Sequence, residues 1–367
     1  VRGLYVHVPF CVSKCAYCDF YSLADRLDLV PAYIDAVVTE AQARAGMSFG
    51  TLYLGGGTPS LLGVGNLQRM LDGLRRVFDL TALVEATIEV NPESASEDLL
   101  RSALDLGFTR VSVGVQSLSD DELRSVARVH TADQAEGAVS RVVGMGFRDV
   151  SADVIVGLPG QTPDSLRRTL ERLTSMSVSH LSVYCLSLEE GTRLAAAPPD
   201  DLPSDDLQAD LFEGARSVLE GRGFIHYEIS NFCLPGRECR HNLNYWRGGE
   251  YLGLGPAAAS HLDGRRWKNH ADVLAYLLCP LGVVDEVEEL GLKEKAAEEA
   301  MLRLRQINEG LAADEMMSRF GQDMIDGLLS RLNSLVAEGL LTCDGSKYRL
   351  PRSQVLTSNL VLARVLG

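Results

Sequence analysis

No apolar run in this chain approaches the ~20 residues that a bilayer-spanning helix needs, so no membrane span is expected. Its beginning lacks the basic, apolar and small-residue succession of a leader. Positive charge is in deficit: 35 Lys and Arg face 50 Asp and Glu, a net charge of −15. Such a chain is not expected to hold nucleic acid by bulk electrostatics. Arg237, Arg240, Arg247, Arg265, Arg266 and Lys268 are the residues from which a local basic patch would have to form. The spacing of a secreted disulfide framework is also missing. Three of the eight cysteines sit within eight residues, and Cys185, Cys233, Cys239, Cys279 and Cys343 are scattered. That distribution points to a reducing compartment, the cytoplasm, and to one metal cluster.

What is present is enough apolar material for a sizeable core. Hydrophobic residues are 46% and charged residues 23% of 367, a length that suggests one large domain plus a small one. The chain opens at Val1 already in strand-like texture. Short β-branched runs read as strands at Leu4–Pro9, Thr51–Gly55, Ala86–Val90, Arg110–Val115, Val150–Val156 and His180–Leu186. Amphipathic stretches alternate with them at Val30–Arg44, Gly65–Phe78, Ser96–Leu106, Thr131–Gly144 and Thr162–Ser175. Strand–helix alternation at roughly 30-residue spacing means parallel βα units with right-handed crossovers. Six units fall short of a closed eight-unit barrel. The expected fold is α/β: a partial (β/α)6 barrel with its chemistry at the C-terminal strand ends.

Beyond a Pro- and Asp-rich break at 198–206, a helix is expected at Asp206–Gly221 and a further strand at His226–Phe232. Helices at Glu298–Gln306 and Met324–Glu338, followed by hairpin-like Gly339–Thr342 and Lys347–Leu350, suggest a small winged-helix-like α+β domain. Without a basic recognition helix it reads as a packing or protein-contact module.

The strongest chemical signal is Cys11-Val-Ser-Lys-Cys15-Ala-Tyr-Cys18. Three thiolates on one tight loop can hold three irons of a cubane and leave the fourth iron open to a small molecule. A structural zinc site wants four ligands in two pairs, and no second pair lies nearby. Gly55-Gly-Gly-Thr-Pro-Ser60 follows the second strand. Its glycines let backbone approach a ligand closely, and its amides can bind a carboxylate.

The C-x-x-x-C-x-x-C spacing directly after a first strand, together with Tyr5-Val-His-Val-Pro-Phe10 and the glycine loop, resembles the radical S-adenosylmethionine (SAM) superfamily. Glu89-Val-Asn-Pro-Glu93, Val113-Gly-Val-Gln-Ser117, Arg128-Val-His-Thr131 and Asp153-Val-Ile-Val-Gly-Leu-Pro-Gly160 make the ordered set similar to its coproporphyrinogen-dehydrogenase subgroup. The resemblance implies a 4Fe–4S cluster on Cys11, Cys15 and Cys18. It places Tyr5 beside cluster and SAM, and Gly56, Gly57 and Thr58 against SAM. Glu89 would bind a ribose hydroxyl, and Gln116, Arg128 and Asp153 would complete the SAM or substrate pocket. One-electron reduction of bound SAM would break its C–S bond to give a radical.

Two kinds of protein in this subgroup must be separated: the oxygen-independent coproporphyrinogen III oxidases and the radical-SAM haem chaperones. A radical-SAM methyltransferase on the same scaffold is a third reading, against which the intact His241 motif argues. The oxidase pattern has a further cysteine where this chain has Phe20, and only ten residues precede Cys11, which would leave less chain to enclose a porphyrinogen. His241-Asn-Leu-Asn-Tyr-Trp246 matches the chaperone pattern H-N-x-x-Y-W. The resemblance therefore implies haem binding without oxidase activity, and delivery of haem to acceptor proteins such as membrane-associated respiratory enzymes. His241, Tyr245 and Trp246 would contact the haem, since imidazole ligates haem iron and aromatic faces pack on the macrocycle. Arg240 and Arg247 would meet the propionates. On the residues alone, His241 pairing with a buried carbonyl, with Tyr245 and Trp246 in the core, stays open. The expected boundaries are 1–225 for the barrel, 226–295 for an extension carrying this motif, and 296–367 for the winged-helix-like part.

Overall fold

The computed structural model describes residues 2–281 and 284–367; Val1, the expected strand-like start, lies outside them. Six strands stand side by side, parallel and in chain order: β1 Gly3–Val8, β2 Thr51–Gly56, β3 Glu85–Val90, β4 Arg110–Gln116, β5 Asp149–Val156 and β6 His180–Cys185. Helices Val30–Gln42, Gly63–Val77, Glu97–Asp105, Ala132–Gly144, Pro163–Ser175 and Asp205–Gly221 cover the outside. Ser96, Thr131, Thr162 and Ser204 start four of these, each side-chain oxygen accepting from the backbone N–H three residues on, which satisfies a donor the helix cannot. A strand covered on both faces is buried at every residue, as all seven residues of β4 are.

The sheet does not close. Beyond β6, β7 Ile225–Glu228 and β8 Asn231–Cys233 form an antiparallel hairpin; beyond β1, β9 Tyr251–Leu254 adds in parallel and β10 Ala259–Leu262, β11 Arg265–Asn269 and β12 Val284–Glu289 follow antiparallel. The single strand expected over His226–Phe232 is thus two. The Glu228 carboxylate accepts from the Ser230 amide and the Asn231 side chain, 3.1 and 2.5 Å, and folds the chain back between them.

The C-terminal part is a winged-helix arrangement: helices Leu292–Leu304, Ala313–Phe320 and Gln322–Ala337 with a three-stranded sheet in which Lys347–Arg349 lies between Leu311–Ala312 and Thr342–Asp344. The first helix starts six residues before the expected Glu298, because Glu294 reaches back to the Gly291 amide at 2.7 Å and fixes an earlier start. Four of the six residues expected to build a basic patch are paired: Arg237 with Asp149, Arg247 with Glu309, Arg265 with Glu289, and Arg266 with Glu288 and Glu298. Arg240 and Lys268 have no ion-pair partner among the described residues.

Polar residues at the N-terminal strand ends build the barrel floor. Arg110 opens β4 fully buried, its guanidinium 3.1 Å from Glu85 and 3.7 Å from Asp149, and donating to the carbonyls of Arg237 and Glu238. The His180 ring lies 2.8 Å from Ser151 Oγ and 2.9 Å from the Tyr227 hydroxyl. A buried ion pair is stabilised when its remaining hydrogen bonds are met; residues 237–241 meet most of them here, and Arg110 Nη1 is left without a partner.

Candidate functional site

At the opposite, C-terminal end of the strands a cavity of about 380 Å3 opens under the loop after β1. Cys11, Cys15 and Cys18 line it, half-exposed and free of disulfides. So do Gly56, Gly57, Thr58, Glu89, Gln116, Arg128 and Asp153, brought from the ends of β2 to β5. Each of the residues expected at a SAM pocket faces this space except Tyr5.

The loop is fixed by a chain of polar contacts. Thr58 Oγ1 lies 3.7 Å from Cys11 Sγ, Asn91 Nδ2 donates to Thr58 Oγ1 at 2.9 Å, and Arg128 donates to Asn91 Oδ1 and to the Gly114 carbonyl at 2.9 and 2.6 Å. The other arm of Arg128 stands 3.4 Å from Cys15 Sγ. Arg128 thus joins three strand ends to the cysteine loop. Asn91 is a functional residue that sequence reasoning passed over. Its signal was its place two residues after Glu89, on the same side of the strand end.

The glycine loop does something other than expected. Its amides are not open to a carboxylate: Gly56 N–H donates to Glu89, Gly57 N–H to the Val8 carbonyl and Thr58 N–H to the Phe10 carbonyl, at 3.2, 2.8 and 2.7 Å. The glycines are required by proximity. Gly56 has φ +104°, and a Cβ there would sit 2.5 Å from the His7 ring. The loop ties the end of β2 to the entry of the cysteine loop.

Two carboxyls in the cavity are shifted. Burial, with the nearby Asp153 charge, pushes Glu89 up to about 7, although Tyr53 and the Gly56 amide donate to it. Burial also pushes Asp153 up to about 6, against the hydrogen bonds of Ser182 and Ser112 and the charge of Arg128. Burial raises the Cys11 and Cys18 thiols as well, Cys18 to about 11; a bound metal reverses this, because a coordinating thiol is deprotonated.

The donor set fits an iron–sulfur cluster. Among the described residues no three His, Cys, Asp or Glu side chains gather around one ion, so the three thiols suit a polynuclear cluster, one iron each, rather than a single zinc. A cavity lined with polar strand-end groups beside them leaves room for a ligand on the fourth iron.

A second, larger cavity of about 850 Å3 adjoins the first, and Lys14, Asp19 and Phe20 of the cysteine loop line both. Tyr5 faces this second cavity, with its hydroxyl 2.9 Å from His7 Nδ1, because it lies lower on β1 than the loop. Tyr245 and Trp246 face it too. Phe20 stands 61% exposed at the junction.

His241 lies elsewhere. It is buried in the barrel floor, 2.8 Å from Thr51 Oγ1 through Nδ1 and 2.8 Å from the Tyr245 hydroxyl through Nε2, and it packs on Tyr53. Burial lowers its pKa to about 3. Both ring nitrogens are engaged, so the geometry offers no free nitrogen to a haem iron; the ring orients Tyr245. Arg240 and Arg247 face neither cavity either. The cations on the second cavity are Lys14, Arg266 and Lys268.

Residues 5–173 match the radical SAM superfamily. The heme chaperone HemW of Mycobacterium tuberculosis is 35% identical, with 100% of this chain and 95% of the relative aligned. Those of Lactococcus lactis and Bacillus subtilis are 33% and 32% identical, covering 95% and 100% of this chain and 93% and 100% of theirs. The structure superposes on the coproporphyrinogen III oxidase HemN of Escherichia coli, described as a radical SAM enzyme, with a TM-score of 0.86 at 24% identity, over 100% of this chain and 89% of that one. That likeness speaks for the fold, including the open barrel and the C-terminal part. Identity over whole chains at this level, on top of the cysteine loop and strand-end cavity, places this chain in the radical SAM superfamily and, within it, in the HemW heme chaperone family.

Proposed function

We propose that this protein is a haem chaperone which carries a 4Fe–4S cluster on Cys11, Cys15 and Cys18, binds SAM in the strand-end cavity, and passes haem to acceptor proteins, membrane-associated respiratory enzymes among them, in the cytoplasm. The observation that carries the reading is the convergence of three free thiols and seven polar or glycine residues from four strand ends on one cavity. When bound and reduced, such a cluster supplies the electron that cleaves the C–S bond of SAM. Within this reading Glu89 accepts from a ribose hydroxyl, Gln116 and Asp153 complete the polar wall, and Arg128 holds the cysteine loop. Gly56, Gly57 and Thr58 position that loop against SAM. Tyr245 and Trp246 form part of the haem surface, with His241 setting the angle of Tyr245. The expected absence of oxidase turnover rests on Phe20, in the place of the oxidase's extra cysteine, taken together with the His241–Trp246 motif.

The test is one preparation, reconstituted anaerobically and divided. Expected are a reduced-cluster EPR signal that changes on adding SAM, a Soret band on adding hemin, and no protoporphyrinogen IX from coproporphyrinogen III. Robust conversion of coproporphyrinogen III would overturn the chaperone reading in favour of the oxidase.

A further inference from the structure

The second cavity has a wall built by strand register. On neighbouring antiparallel strands, directly opposed residues lie on the same face of the sheet. Tyr251 of β9 opposes His261 of β10, and His261 opposes Arg266 of β11; two residues along, on the same face, Ala259 opposes Lys268. Tyr251, His261, Arg266, Ala259 and Lys268 all line the cavity. They form a plane with an imidazole at its centre, a small residue beside it and cations at one side. Tyr245 and Trp246 stand on the same cavity. Trp246 is held from behind by the Arg305 guanidinium, 4.4 Å above its ring.

Resting on the chaperone reading, we infer that this cavity is the haem site and that His261, not His241, is the side chain that ligates the iron. The ligand chemistry is that of a flat apolar macrocycle with an iron at its centre and two carboxylates on one edge. The volume, about 850 Å3, is in the range of sites for molecules of that size. Tyr245, Trp246 and Tyr251 supply aromatic surface, and small residues leave the space between them open: Ala257, Ala259, Gly248 and Gly249 also line it.

Iron ligation needs a neutral imidazole with one nitrogen free and the other oriented. His261 meets the condition that His241 fails. Its ring is half-buried and edge-on to Tyr251, and it has no side-chain partner among the hydrogen bonds of the described residues. Burial, and then the Arg266 charge, lower its pKa and favour the neutral ring. The Gly249 backbone lies beside the ring.

The carboxylates would meet Lys14 and Lys268. Arg266 is already neutralised by Glu298, whereas neither lysine has a carboxylate within ion-pair distance among the described residues, Asp19 on the same cavity included. The exposed Phe20 at the junction would then cover the macrocycle edge nearest the cluster.

The experiment is a hemin titration of the reconstituted full chain, followed by the Soret band, for the native protein and for His261→Ala, His241→Ala and Lys268→Leu. Expected for His261→Ala is a shifted Soret maximum and an affinity at least about tenfold weaker, with added imidazole restoring the ligated spectrum. Cluster EPR and the thermal melt should be unchanged, which separates ligand loss from misfolding. Lys268→Leu should weaken hemin affinity without moving the Soret maximum. A native-like spectrum and affinity in His261→Ala, or loss of the ligated spectrum in a folded His241→Ala, would overturn the His261 assignment and leave the chaperone reading standing. Failure of the native chain to bind hemin at all would sink both.

Discussion

Gly57→Ala should loosen the cysteine loop, and the expected size follows from three distances. A Cβ at Gly57 would lie 2.7 Å from the Val8 carbonyl oxygen, 2.7 Å from the Phe10 carbonyl oxygen and 2.9 Å from the Phe10 nitrogen. All three are backbone atoms, so no side-chain rotation relieves the overlap. Relief requires parting the loop from the end of β1, where Gly57 N–H and Thr58 N–H donate to those same two carbonyls. Inserting one methyl into a close-packed site costs about 1–3 kcal/mol, and each neutral hydrogen bond weakened about 0.5–1.5 kcal/mol. The variant should therefore lose roughly 2–6 kcal/mol of stability and move Cys11, the first proposed cluster ligand, out of place. Urea unfolding of the metal-free chain measures the first effect, and iron content with EPR after reconstitution the second. Gly65→Ala is the comparator: that glycine lies in the Gly63–Val77 helix with no atom within 4 Å of the added Cβ. It should be neutral or stabilising by up to about 1 kcal/mol. Equal unfolding midpoints and equal iron for Gly57→Ala and the native chain would refute the view that the glycine loop is a tether.

Replacing Cys11, Cys15 or Cys18 by Ala should abolish the reduced-cluster EPR signal, while Cys343→Ala and Cys185→Ala should retain it; Cys185 is the sharper control because it lines the same cavity, and full retention in Cys15→Ala would sink the ligand set. Arg110→Met should destabilise the chain by about 3–5 kcal/mol by leaving the Glu85 carboxylate buried without its cation, while Asp149 keeps Arg148 and Arg237, and a loss under about 1 kcal/mol in urea unfolding would contradict the floor described above. Glu89 binds its proton more tightly folded, pKa about 7, than its ordinary 4.5, so its contribution favours folding at acid pH and fades as pH rises from 4.5 to 7. The stability of the metal-free native chain relative to Glu89→Gln should accordingly fall across that window, and parallel profiles of the two proteins would show that Glu89 is not held protonated.

The six-strand order was legible because fully buried parallel strands are nearly continuous β-branched runs, and because Ser96, Thr131 and Thr162 announce helix starts in local sequence. Most of the strand-end cavity was legible for a related reason. In a barrel of βα units, residues at or just past the C-terminal end of a strand arrive at one end of the sheet. Glu89, Gln116 and Arg128 could thus be placed together without knowing a single distance. Tyr5 escaped this rule, since it lies near the start of β1, and its height on that strand decides which cavity it meets.

His241-Asn-Leu-Asn-Tyr-Trp246 shows where that legibility stops. The sequence by itself determined that the chain has a three-thiolate loop after its first strand, six parallel units, and a short segment carrying His, Tyr and Trp, because spacing and periodicity act over a few residues. It did not determine that His241 spends both nitrogens on Thr51 and Tyr245, contacts made across 190 residues in one case and one helical turn in the other. Nor did it single out His261, an isolated histidine between Ser260 and Leu262. That residue gains its meaning only when Tyr251, Arg266 and Lys268 line up beside it across three strands. Register between strands distant in sequence is set by burying one face of the sheet, a property of the packed whole, and so the tertiary structure alone decided which histidine faces the cavity.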